Sequence, residues 1–64
     1  MELQGNNFGE RLLEARKAKE FTRENLAKLV HISSKTIANY ESGERYPTID
    51  IASRLAAALD VSVA

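Results

Sequence analysis

The chain has 64 residues and no cysteine. A disulfide framework, a cysteine-based metal site and a cysteine nucleophile are all excluded. A reducing compartment suits such a composition. No apolar run approaches the roughly 20 residues that a membrane-spanning helix needs. The opening "MELQGNNFGE" is polar and acidic, unlike a secretory signal. The expectation is a cytoplasmic protein with no membrane partner. Net charge is also absent, because nine basic residues balance nine acidic ones. Overall charge therefore gives no drive toward polyanions. No segment alternates apolar and polar residues as a strand would, and there are no repeats or low-complexity stretches. A glycine-rich phosphate loop and a metal-spaced ligand set are missing too. A core this small leaves little room for a deep pocket. No catalytic residue, metal or cofactor is expected, and an enzyme ranks far below the other readings.

What remains is a single domain, 1–64, near the lower size limit for independent folding. Its hydrophobic spacing predicts four short helices. In "NNFGERLLEARKAK", Phe8, Leu12 and Ala15 recur at helical spacing with Leu13 flanking. Asn7 is placed as N-cap, with Glu10 completing a capping box. Gly9 falls in the first turn, where glycine costs least. "TRENLAKLV" begins at Thr22 as N-cap, with Glu24 favourable to the helix dipole. Its apolar set is Leu26, Leu29 and Val30, and Ala27 offers a small contact surface. "SSKTIANYESG" runs from Ser33 to a helix-ending Gly43. "TIDIASRLAAAL" follows Pro47, is capped by Thr48 and carries Asp50 in its first turn. Its inward set is Ile49, Ala52, Leu55, Ala56 and Leu59. The tail "DVSVA" adds Val61 and Val63. The expected fold is all-α, a compact bundle of four short helices, with Ser62 available as N-cap for a fifth.

Charge is unevenly distributed. From Arg16 to Lys35, six basic residues face Glu20 and Glu24, giving +4, while the segments on either side each carry −2. Mixed charge on solvated helices is the plain alternative, and Lys17, Lys19 and Lys28 individually read as surface lysines.

The second and third helices are separated only by "HIS", residues 31–33, which forces a sharp angle. That is helix-turn-helix geometry, approximately 22–42. Ala27 suits the crossing point, Ile32 can plug the corner, and Ile37 and Tyr40 bury the third helix. At ~100° per residue, Ser34, Lys35, Ala38, Asn39 and Ser42 share an arc of about 140°. This face is lean and polar. Asn pairs bidentately with adenine, Lys donates to guanine acceptors, Ser is versatile, and Ala can touch a thymine methyl. Ser34, Lys35, Ala38 and Asn39 are therefore the candidate base-reading residues, the third helix, 33–42, being the recognition helix. His31, the sole histidine, reads as a turn residue rather than a metal ligand or general base. Tyr40 reads as core, and Tyr46 as packing over the core edge.

The run "TRENLAKLVHISSKTIANYESGERYP" resembles the helix-turn-helix of lambda-repressor-like, or XRE-type, DNA-binding domains. The resemblance extends from Phe8 to Val61. It rests on the set Leu26-Ala27, Ile32-Ser33, Thr36-Ile37, Tyr40-Glu41, Gly43, Pro47 and "RLAAALDVS". It implies that Thr22 and Arg23, at the start of the second helix, contact phosphate. It also implies a second phosphate-contacting stretch at Ser42, Gly43 and Arg45, and a partly buried salt bridge between Arg16 and Glu41. His31 and Glu20 stand where the family usually has glycine, and Arg23 where it often has glutamine. Arg23 therefore favours phosphate over a base edge. Glu44 is a poor phosphate neighbour, so the second site is expected to rely on backbone N–H groups and Arg45.

The implied function is sequence-specific binding of double-stranded DNA by a transcriptional repressor. A homodimer would lie on a palindromic operator with half-sites about one helical turn apart. The chain ends where the family often begins a fifth helix, so a monomer or weak dimer is expected of this length alone. The competing reading is a protein-interaction module of the antitoxin or coactivator type on the same scaffold, which zero net charge favours mildly.

Overall fold

A computed structural model describes residues 7–61. They form α1 (Phe8–Ala18), α2 (Arg23–Val30), α3 (Ser34–Ser42) and α4 (Ile49–Leu59), with no strand among the described residues. α3 packs against both α1 and α2, and α4 packs against α2. Ser62 and Val63, expected to cap a fifth helix and to extend the core, lie outside the described residues.

Three helices start on a side-chain cap. Thr22 Oγ1 accepts from the Asn25 N–H at 3.0 Å, and Asn25 Oδ1 accepts from the Thr22 N–H at 3.2 Å. The capping box of α2 thus closes on Asn25. Ser33 Oγ accepts from the Thr36 N–H, and Thr48 Oγ1 from the Ile51 N–H. All three caps are extended, with ψ between 155° and 166°. Asn7 differs: its ψ is 26° and its side chain makes no capping bond. The capping box expected between Asn7 and Glu10 does not form, because this backbone turns the side chain away from the first-turn N–H groups.

The helix ends share a left-handed residue. His31 (φ 61°), Gly43 (φ 86°) and Asp60 (φ 57°) terminate α2, α3 and α4, and Glu20 (φ 57°) follows α1. This conformation lets the chain turn sharply while the last carbonyls stay bonded. It costs a residue with a Cβ roughly 1–2 kcal/mol. Histidine and aspartate are among the residues that tolerate it best, and glutamate is not.

Leu12, Leu26, Val30, Ile37, Leu55 and Leu59 are fully buried, with Phe8, Ala15, Ala27, Tyr40 and Ala56 completing the core. Phe21, Ile32, Ile51, Ala58 and Val61 seal its edges. The Phe8 and Tyr40 rings meet edge to face at 6.3 Å. Two residues of the expected apolar sets are exposed. Leu29 is 54% exposed. It sits about 100° from the centre of the arc shared by Leu26, Ala27 and Val30. Ile49 is 85% exposed. It is the first residue of α4, and helical side chains tilt back toward the N-terminus, here past the packed region. Tyr46 is 61% exposed, keeping only a tilted contact with Phe8 at 6.4 Å.

Gly9 is required by packing. A Cβ built there would lie 2.5 Å from the Glu41 carbonyl oxygen and 2.7 Å from that of Tyr40. Backbone meets backbone at the α1–α3 crossing, and no side chain can yield to make room. At Gly43 an added Cβ would meet nothing within 4 Å, so only its φ demands glycine.

Gly9→Ala should therefore destabilise the domain by about 1–3 kcal/mol through overpacking. Helix propensity alone would favour alanine by ~1 kcal/mol, so the sign of the shift in urea midpoint decides between the two effects. His31→Gly should raise the thermal midpoint, since it relieves left-handed strain of about 1 kcal/mol.

Candidate nucleic-acid interface

The corner between α2 and α3 is built from backbone bonds. Beyond left-handed His31, the Ile32 N–H donates back to the Ala27 carbonyl at 3.0 Å. This wraps the chain over the end of α2 and seats the half-buried Ile32 side chain against the core. Ala27 is buried, and Ile37 and Tyr40 anchor α3 from beneath. The opposite face of α3 is left to solvent. Lys35 and Ser42 are exposed there, while Ser34, Ala38 and Asn39 are half-buried at its flanks. Among the described residues, the side chains of Ser34, Lys35 and Asn39 have no hydrogen-bond partner. Thr36 and Ser33 are different: their hydroxyls bond each other at 2.8 Å.

At the start of α2, the Thr22 oxygen accepts the Asn25 N–H, which leaves its hydroxyl proton uncommitted. The N–H groups of Arg23 and Glu24 have no partner among the described residues. A helix N-terminus with open N–H groups attracts an anion. The loop after α3 offers much less. The Gly43 N–H donates to the Tyr40 carbonyl at 3.2 Å, and the Glu44 and Arg45 N–H groups donate to that of Asn39 at 3.0 and 3.3 Å. The Ser42 hydroxyl donates to the same Asn39 carbonyl at 3.1 Å. In the free domain these N–H groups turn toward the end of α3, where several donors share the single Asn39 carbonyl. The Arg45 side chain makes no hydrogen bond with other described residues.

Arg16 and Glu41 join α1 to α3. Arg16 Nε donates to Glu41 Oε2 at 2.6 Å, and Nη2 to Oε1 at 3.4 Å. Arg16 Nη1 donates to the Phe21 carbonyl at 2.8 Å, which ties down the link into α2. The Glu41 side chain is 4% exposed and that of Arg16 11%. Arg23 joins the same carboxylate, its Nε donating to Glu41 Oε1 at 2.9 Å. Sequence reasoning missed this second pairing, since nothing in the spacing of residues 23 and 41 signals it. The contact exists only because the α2–α3 corner brings the start of one helix beside the end of the other. The exposed pairs Asp50–Arg54 (3.2 Å) and Lys19–Asp60 (3.9 Å) contribute at most about 1 kcal/mol each. No helix among the described residues is long and apolar enough to cross a membrane.

A family model described as helix-turn-helix matches residues 12–64. The chain belongs to this family, the XRE or lambda-repressor-like helix-turn-helix proteins, and is a DNA-binding domain of that type. The family is generally non-enzymatic. No curated protein and no solved structure matches the chain.

Removing one side of the buried pair should be severe. Glu41→Met leaves the Arg16 guanidinium buried without its counterion, a loss of about 3–5 kcal/mol. The double variant Arg16→Met/Glu41→Met should recover most of that loss, because an apolar pair of similar volume replaces both charges. Urea midpoints of wild type and the two variants measure the difference.

Proposed function

We propose that this chain is the sequence-specific reading domain of a transcriptional repressor, with α3 lying in the major groove of double-stranded DNA. The observation that carries the reading is the state of the outer face of α3. The side chains of Ser34, Lys35 and Asn39 are short or slender and have no hydrogen-bond partner among the described residues, and they stand on a helix anchored from below by buried Ile37 and Tyr40. Ser34, Lys35, Ala38 and Asn39 take the base-reading roles. Thr22 and Arg23 hold phosphate at the start of α2. On the far side, the Arg45 side chain is the phosphate contact, and Ser42 and Gly43 shape the loop that carries it.

Two further arguments support DNA as the partner. Glu41, an acidic residue on the recognition helix, is turned inward and compensated by two guanidinium groups, so it does not repel a phosphate backbone directly. Lys28, Lys35 and Arg45 make no ion pair with other described residues. The described domain measures 24 × 23 × 19 Å. Half-sites one turn apart are separated by ~34 Å. Two copies therefore fit side by side on one face of the duplex, as a homodimer on a palindromic operator would require. Interfaces of a single small module are modest, so affinity is expected to depend on this pairing.

Selection of bound sites from random duplex DNA tests the reading. A palindromic site with half-sites one turn apart is expected. Binding should weaken steeply with salt through counterion release. Asn39→Ala and Lys35→Ala should each cost about 1–3 kcal/mol on the selected site, by loss of base contacts. Wild-type affinity in both variants would rule out α3 as the reading element. Absence of any enriched site, together with a salt-insensitive protein partner, would favour the antitoxin- or coactivator-type module.

A further inference from the structure

Arg23 is assigned to phosphate above, and this inference rests on that reading. The assignment leaves open how a half-exposed arginine at the tip of a short helix is held ready. We propose that Glu41 is a positioning residue for DNA: it grips Arg23 by Nε and leaves the terminal fork of the guanidinium free for a phosphate at the start of α2.

The geometry separates the donors of Arg23 into two sets. A guanidinium carries five N–H groups. The one on Nε points to Glu41 Oε1 at 2.9 Å. The four on the Nη atoms have no partner among the described residues. The gripping carboxylate is itself immobile. It is 4% exposed, and Arg16 holds it from the other side at 2.6 Å while bonding the Phe21 carbonyl. The Arg23 side chain is 49% exposed, so its far end reaches solvent. A buried arginine thus fixes a carboxylate, and the carboxylate fixes a second arginine at the surface. The side-chain freedom of Arg23 is surrendered on folding rather than on binding, which is how preorganisation improves affinity.

Charge alone does not account for the arrangement. Two guanidinium groups on one carboxylate leave one positive charge in excess, but the exposed Glu24 in the same turn offsets it. What survives is shape: an outward fork matches two phosphate oxygens, beside the open N–H groups of Arg23 and Glu24. A lysine offers a single ammonium with no fork, so Arg23→Lys keeps the charge and removes the feature.

The test compares Arg23→Lys in two backgrounds, native and Arg16→Met/Glu41→Met, by titrating a mixed-sequence 20-base-pair duplex at low salt. Phosphate contacts are read without sequence preference, so this probe does not depend on base reading by α3. In the native background Arg23→Lys should lower affinity about tenfold. In the double-variant background, where Arg23 has lost its grip, the same change should have little effect. Equal losses in the two backgrounds, or no loss in the native one, overturn the positioning role and leave the DNA-binding reading intact. Failure of the native protein to bind any duplex overturns both. Should the double variant fail to fold, the Arg23 Nε–H resonance decides. A slowly exchanging signal in the free protein, retained with duplex, is expected, and a signal exchanging as fast as that of exposed Arg45 overturns the proposal.

Discussion

The Glu41 carboxylate is the point on which this small domain turns. It is nearly excluded from water, which for an unpaired carboxylate would be prohibitive. Two arginines make it tolerable, one from α1 and one from the first position of α2. The same contact ties α1 to α3, because neither Arg16 nor Glu41 can shift without stranding a buried charge, and half-exposed Arg23 brings the start of α2 to the same carboxylate. In a chain with few large core side chains, such a directional constraint does what a larger apolar core does elsewhere. Its contribution to net stability is modest, because the cost of desolvating the charges offsets much of their attraction.

The turns complement this constraint. Four left-handed residues end the helices tightly, three of them carrying a Cβ, and Glu20 among them is poorly suited to that conformation. The chain therefore holds several small strains in its connections.

Much of this was legible in the sequence. The periods of Leu12, Leu26, Val30, Ile37, Leu55 and Leu59 placed the core, and Thr22, Ser33 and Thr48 placed three helix starts. These are local signals, carried by side chains within one or two turns of each other. The misplaced residues have different causes. Ile49 is apolar and near the right phase, but whether it is covered depends on where neighbouring elements end, whereas Leu29 is apolar but lies well off the buried arc of its helix. Asn7 has the right chemistry for a cap and the wrong ψ. For the candidate site, the outward arc of α3 could be read from phase alone. The second arginine on Glu41 could not, since residues 23 and 41 become neighbours only through the corner between their helices. That the N–H groups of residues 43–45 turn toward the end of α3 was hidden for a similar reason: a loop sequence does not say which way its donors face.

Gly9 has a consequence for how motion reaches the outer surface. Most helix pairs meet through side chains, which can change rotamer and act as springs. α1 and α3 touch here through bare backbone, at the carbonyls of Tyr40 and Glu41. A backbone contact has no rotamers to relax, so it works as a hard stop. Residue 41 is consequently pinned twice, by its carbonyl against α1 and by its carboxylate between two arginines. The outer face of α3 is thus referenced to a fixed stop, and substitutions in the core should alter how long the fold lasts more than where that face points.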